Sequence, residues 1–183
     1  VTNDKKGIGS ATLIARSIKD DIKIRTGLTA SAGISVNKFL AKIASDINKP
    51  DGICLIPPEN AEKFIEKLPI EKFYGIGKVT AERMHKMGIH SGYDLKQWDL
   101  LSLIRNFGKT GKFYFDIVRG IDERPVEINS ERKSIGTELT YEKDLTTQFE
   151  LIAELYKLEK ELMGRIENAG TTGRTITLKV KFS

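Results

Sequence analysis

Between Phe73 and Ile89 the chain reads FYGIGKVTAERMHKMGI. Two glycines flank one isoleucine, a lysine follows, and an amphipathic run then stops at Gly88. Few structures tolerate glycine, a large apolar residue and glycine at the mouth of a helix. A dinucleotide fingerprint needs G-x-G-x-x-G after a strand, but the sixth position counted from Gly75 is Thr80, and Glu71-Lys72-Phe73-Tyr74 closes a helical region. A P-loop needs G-x-x-x-x-G-K-[ST]; the Gly108-Lys109-Thr110 triplet has Leu103 where the first glycine belongs. What remains is a helix-hairpin-helix, in which the isoleucine enters the core and the glycines let the backbone turn sharply.

Such a turn has a direct chemical use. With no side chains at 75 and 77, backbone N–H groups and the positive end of the helix opening near Lys78 face an incoming anion together. A phosphate of nucleic acid suits that place, and contacts made by backbone to backbone are largely blind to sequence. The plain alternative is a turn that only packs two helices, with Gly88 as a C-cap. Phe107-Gly108-Lys109-Thr110-Gly111 repeats the arrangement some thirty residues later, again between helices, which favours the phosphate-binding use.

The surroundings of the two turns are helical. From Pro57 to about 125, Glu59 to Leu68, Gly77 to Met87, Tyr93 to Phe107 and Thr110 to Gly120 read as four helices. Upstream, Ser10 to Arg25 carries Ile14, Ile18 and Ile22 at every fourth position, an amphipathic helix. Leu28 to Ile34 reads as a small-residue strand closely covered by a helix. Asn37 to Asn48 follows as that helix, with Val36, Phe39, Leu40, Ile43 and Ile47 on one stripe. It ends at Lys49-Pro50-Asp51-Gly52, a turn sequence, and Ile53 to Ile56 forms a second strand. Beyond Asn129-Ser130-Glu131-Arg132-Lys133, read as linker, come a strand at Ser134 to Tyr141, a helix from Thr147 to Gly170, and an alternating strand pattern from Thr175 to Phe182.

Charge favours a polyanionic partner without specifying one. The chain carries +5 overall. Residues 1 to 55 hold nine basic and five acidic side chains, 56 to 125 hold twelve and ten, and 126 to 183 hold nine and ten. The last region is thus slightly acidic in balance. Cys54 is the one cysteine, so no internal disulfide forms and a reducing compartment is expected. No apolar run approaches the roughly twenty residues of a membrane helix, and a cytoplasmic protein is expected. The missing initiator Met and the end inside a strand pattern read as the two cut ends of a longer protein.

Ser31 to Gly52, SAGISVNKFLAKIASDINKPDG, resembles the palm segment of the Y-family translesion DNA polymerases of bacteria. Gly75-Ile76-Gly77 resembles their thumb, and Arg132-Lys133-Ser134-Ile135-Gly136-Thr137-Glu138 the start of their little finger. The resemblance implies an α+β multidomain fold: the C-terminal part of an α/β palm at 1–56, an all-helical thumb with two helix-hairpin-helix motifs at 57–125, a linker at 126–133, and the first half of an α+β little finger at 134–183. It implies Mg²⁺-dependent nucleotidyl transfer onto a DNA primer past lesions, with the metal-binding carboxylates lying upstream of Val1 and no catalytic residue or metal ligand in this chain. By the same resemblance Lys49 approaches the triphosphate of the incoming deoxynucleotide, and Gly75, Gly77, Lys78, Gly108, Lys109, Gly111, Lys133 and Ser134 contact DNA. The implied partners are primer-template DNA, a deoxynucleoside triphosphate and, for the intact protein, a sliding clamp. A monomer without membrane attachment, in the bacterial cytoplasm near the nucleoid, is expected.

Other polar residues read as structural. Asp20 and Asp21 point in different directions on a helix, Asp46 lacks an acidic partner at helical spacing, and Asp51 lies in a turn, so these acids read as solvated or capping. His85 and His90 lack a second-ligand constellation, and Trp98, Phe113, Tyr114 and Phe115 sit at packing spacings. Two other classes compete with the polymerase: a non-catalytic helix-hairpin-helix protein of DNA repair or a nuclease subunit, and a protein-interaction module without nucleic acid. An Asp-Glu pair just upstream would separate the first two, and salt-dependent duplex binding would exclude the third.

Overall fold

The computed structural model describes residues 7–127 and 132–181. The chain forms two compact units, Val1–Val126 and Glu127–Ser183.

The first unit begins with α1, Ala11–Thr26, whose N-cap Ser10 side chain accepts from the Leu13 N–H. A βαβ element follows: β1 (Ala32–Ile34), α2 (Lys38–Ile47) and β2 (Ile53–Leu55), the strands paired in parallel with Gly33 opposite Cys54. Both helices pack on this two-stranded sheet. Strand and helix approach so closely that a Cβ on Gly33 would collide with the Ala41 carbonyl, which is why the strand is written in small residues. β1 is shorter than the expected Leu28 to Ile34, because only residues with a partner in β2 enter the ladder. Asn37 caps α2 by accepting from the Leu40 N–H at 3.0 Å, and Phe39, Leu40, Ile43 and Ala44 form its buried stripe. Cys54 is half-buried.

Five short helices complete the unit: α3 (Pro58–Lys67), α4 (Lys78–Lys86), α5 (Gly92–Lys96), α6 (Leu100–Phe107) and α7 (Lys109–Ile117), with a single 3-10 turn at Ile70–Lys72. The expected single helix from Tyr93 to Phe107 is two. Asp99 interrupts it, its carboxylate accepting from the Ser102 N–H at 2.9 Å and so starting α6 anew. Ser91 and Asp94 form a capping box that opens α5. One core runs through both parts: Phe39 of α2 packs on Phe73 at 5.5 Å between ring centres, and Ile65, Ile70, Met84, Ile89, Leu95, Leu103 and Ile117 close around them. The structure therefore joins the palm-like and thumb-like regions by shared burial.

The second unit is organised by α8, Gln148–Asn168, opened by a Thr147–Glu150 capping box. Arg165 reaches back to donate to the Gly136 carbonyl at 2.7 Å. Neither expected strand of this unit forms among the described residues: 134–141 and 175–181 run without ladder partners, and α8 has no buried residue. Alternation marks a segment able to be a strand, but a strand exists only through the hydrogen bonds of a neighbour. Part of the expected linker, 128–131, and Phe182 lie outside the described residues.

Candidate nucleic-acid interface

The first glycine turn is built from the core outward. Phe73 and Ile76 are buried, and the Ile76 N–H donates to the Phe73 carbonyl at 3.0 Å, folding the chain back on itself. Gly75 takes φ +97°, a region that side chains avoid, and a Cβ there would press on Phe113 at 3.3 Å. Gly77 differs. It is extended at φ −82°, caps α4 without any side-chain hydrogen bond, and has open space where a Cβ would stand. The first-turn N–H groups of α4 thus face outward from a surface made by Gly77, Lys78 and Val79, all exposed.

The second turn reaches a similar result with fewer residues. Gly108, at φ 61° and ψ −140°, is at once the C-cap of α6 and the N-cap of α7. Its own N–H donates to the Ile104 carbonyl at 2.8 Å, while no side chain caps α7. Gly108, Lys109 and Thr110 are exposed. Lys78 and Lys109 have no ion pair among the described residues, so each stands as a free cation at a helix N-terminus. Gly111 corrects the sequence reading. It is buried, its N–H is taken by the Gly108 carbonyl at 3.0 Å, and a Cβ there would collide with the Leu103 backbone. This third glycine brings α6 and α7 together and has no amide left for a ligand.

Aromatic residues tie the turns together. Phe113 of α7 lies against Gly75, Phe107 meets Tyr114 edge-on at 5.5 Å, and Arg83 of α4 lies over the Phe107 ring at 5.1 Å. The Tyr114 hydroxyl hydrogen-bonds Thr80, and burial raises its pKa. The aromatic cluster thus packs helices, as its spacing suggested. His85 and His90 stack at 5.0 Å, with His85 Nε2 3.5 Å from Glu71.

Lys49 sits elsewhere, just past α2, where its ammonium pairs with Asp46 at 2.5 Å. Lys42 holds the other oxygen of Asp46 at 2.8 Å, and hydrogen bonds from Lys42 and then Lys49 lower that carboxyl's pKa. Asp46 is therefore an ion-pair centre where solvation or capping was expected. Lys38 donates to the Pro125 carbonyl at 3.0 Å. Asp51 pairs with Lys19 of α1 at 3.0 Å. Lys133 and Ser134 are exposed in the irregular start of the second unit.

Three family models match this chain in order. The impB/mucB/samB family matches residues 1–46, the helix-hairpin-helix motif of that family 58–89, and its C-terminal domain 132–183. The chain belongs to the impB/mucB/samB family, the Y family of DNA polymerases. Its sequence is 51% identical over 174 residues to a DNA polymerase IV of Alkalilimnicola ehrlichii, covering 95% of this chain and 49% of that protein. A DNA polymerase IV of Bacteroides fragilis is 51% identical over 182 residues, all of this chain and 50% of that protein. Among solved structures, a Y-family DNA polymerase chimera aligns at TM-score 0.74 and 30% identity over 84% of this chain and 44% of its own. DinB from Sulfolobus solfataricus aligns at 0.58 and 32% over 63% of this chain and 34% of its own. The chain spans about half the length of the curated relatives it matches. Within this family member, Gly75 and Gly77 fall inside the matched motif, whereas Gly108 lies beyond it and Lys49 just past the first matched region.

Sequence reading missed one group. Asp122, in a stretch read only as the end of the helical region, has a side chain 2% exposed. It accepts from the Phe39 N–H at 2.9 Å and from Arg124 Nε and Nη2 at 2.6 and 2.8 Å, and Asn37 donates to the nearby Gly120 carbonyl at 2.8 Å. Arg124 first, and then the Phe39 N–H, hold the Asp122 carboxyl below the usual range. An acid and an arginine two apart in a loop leave no periodic trace. Only Asn37 was legible, and it was read as the start of the helix alone.

Proposed function

We propose that this chain forms the DNA-gripping middle of a DNA-directed translesion polymerase, within which 1–56 is palm, 57–125 thumb, 126–133 linker and 134–183 the first part of the little finger. The observation that carries the reading is the pair of glycine turns, each opening a nine-residue helix with no side-chain cap, exposed first residues and a lysine without an ion pair among the described residues. Two such ends present backbone donors and cations to a duplex backbone, and grip it without reading bases. Gly75 shapes the first turn, Gly77 and Lys78 meet one phosphate, and Gly108 and Lys109 meet another. Lys133 and Ser134 hold template phosphates. Lys49 gives up Asp46 for the triphosphate of an incoming deoxynucleotide, for which a compact ammonium is suited.

The chemistry of transfer belongs outside these residues. Among the described residues no group of three or more His, Cys, Asp or Glu gathers that could hold a metal ion. The clamp contact, monomeric state and cytoplasmic, nucleoid-associated location remain parts of this reading. No helix among the described residues is long and apolar enough to cross a membrane.

Primer extension and nucleotide kinetics test the reading. The 183-residue chain alone is expected to bind primer-template DNA and to extend no primer; extension would overturn the placement of the chemistry. In the intact protein Lys49→Ala is expected to raise the nucleotide KM or lower kcat, and unchanged kinetics would remove Lys49 from the site.

A further inference from the structure

The last turn of the thumb-like region does more than lead out of it. Residues 120 to 125 run back across α2, and three polar contacts there join the two regions of the first unit. Asn37 holds the Gly120 carbonyl, Lys38 the Pro125 carbonyl, and Asp122 the Phe39 N–H. The Asp122 carboxylate is also the clamp for Arg124, whose guanidinium is gripped by two parallel bonds. That guanidinium lies over the Phe113 ring at 5.0 Å, and Phe113 is the ring against which Gly75 rests. A continuous path therefore runs from the backbone of α2 through Asp122, Arg124 and Phe113 to the first glycine turn.

We infer that Asp122 and Arg124 are positioning residues that set the first glycine turn for its DNA phosphate, a role that rests on the reading of that turn as a DNA grip. Neither side chain need touch DNA. Asp122 fixes the plane of the guanidinium, the guanidinium lies over the Phe113 ring, and that ring stands 3.3 Å from where a Cβ on Gly75 would be. Arginine is required because lysine offers neither the fork for Asp122 nor a flat face for the ring. Asp122 is required although it is an anion in a protein that binds a polyanion.

That sign makes the test decisive. Duplex binding by the 183-residue chain is measured by fluorescence anisotropy at fixed salt, below the unfolding temperature of every variant, with the fold checked by circular dichroism. Asp122→Asn removes a negative charge, so electrostatics alone would tighten binding, whereas positioning predicts a loss of about 3- to 10-fold. Arg124→Gln is expected to lose as much, and it carries the test should Asp122→Asn fail to fold. Arg124→Lys keeps the charge and is expected to behave as Arg124→Gln, while a direct phosphate contact would leave it close to the parent. With Gly77→Val already present, Arg124→Gln is expected to add no further loss, since it acts through the same turn. Parent-level or tighter binding by Asp122→Asn, rescue by Arg124→Lys, or full additivity with Gly77→Val would each overturn the inference. If Gly77→Val weakens binding and Asp122→Asn does not, this inference alone fails; if Gly77→Val is itself neutral, the reading of the turn fails and takes this inference with it.

Discussion

The two glycine turns of the thumb-like region offer the same chemistry but divide the work among their glycines differently. In the first turn one glycine bends the chain and another faces outward, with buried Ile76 between them as an anchor. In the second turn Gly108 does both, and Gly111 is spent on helix packing. Glycine spacing alone therefore does not tell a ligand-facing position from a packing one. The N–H groups of Gly108 and Gly111 are both already bonded, so what separates them is exposure and whether a Cβ would meet backbone, and both are properties of the fold.

Substitutions that add only a Cβ should break this comparison in a graded order. Gly111→Ala places its methyl against the Leu103 backbone, which cannot yield without parting α6 from α7, and should destabilise by about 3 kcal/mol in urea unfolding. A loss under about 1 kcal/mol would show that the helices are not held at this separation. Gly108→Ala meets no atom but forces an L-residue to a φ and ψ open essentially only to glycine, at a cost of about 1–2 kcal/mol. Gly77→Ala meets neither obstacle and should cost under about 1 kcal/mol, the difference between glycine and alanine as an N-cap.

The Asp122 clamp sharpens the contrast through pH. Its carboxyl is held below the ordinary aspartate value in the folded state, chiefly by Arg124, so its contribution is full above the unfolded pKa and fades as pH falls through the folded one. Asp122→Asn should therefore lower stability at neutral pH by about 1–3 kcal/mol, and that gap should narrow once pH drops below about 4. Chemical denaturation across that range checks it, and a gap that stays constant into strong acid would deny the ionic origin.

Much of the fold was legible because it is written locally. The α2 stripe from Phe39 to Ile47, the helix starts at Ser10, Asn37 and Thr147, and the first hairpin all follow from spacing and side-chain chemistry within a few residues. The break at Asp99 was hidden, since an aspartate inside an apolar run reads equally as an exposed helical residue or as a new N-cap. The strands at 134–141 and 175–181 show the opposite failure: alternation is intrinsic to the segment, but pairing depends on another strand. At the candidate site, the motif led to Gly75, Gly77 and Lys78, which lie exposed at the turn, and it gave the same role to Gly111, which is buried with its N–H already bonded. Asp122 and Arg124 were out of reach because their meaning comes from α2, over eighty residues earlier.

The central claim is that exposed backbone amides at the first glycine turn hold a DNA phosphate, and Gly77→Val tests it most directly because the added side chain enters open space in front of α4 and leaves the core alone. Duplex binding by the chain and this variant, followed through a salt titration, should show a loss of about tenfold with no change in sequence preference and nearly the parent's salt slope, since an amide contact releases no counterion. Lys78→Gln in the same titration should instead reduce the slope by about 0.9. A Gly77→Val chain that keeps its fold and binds duplex DNA as tightly as the parent would contradict the account.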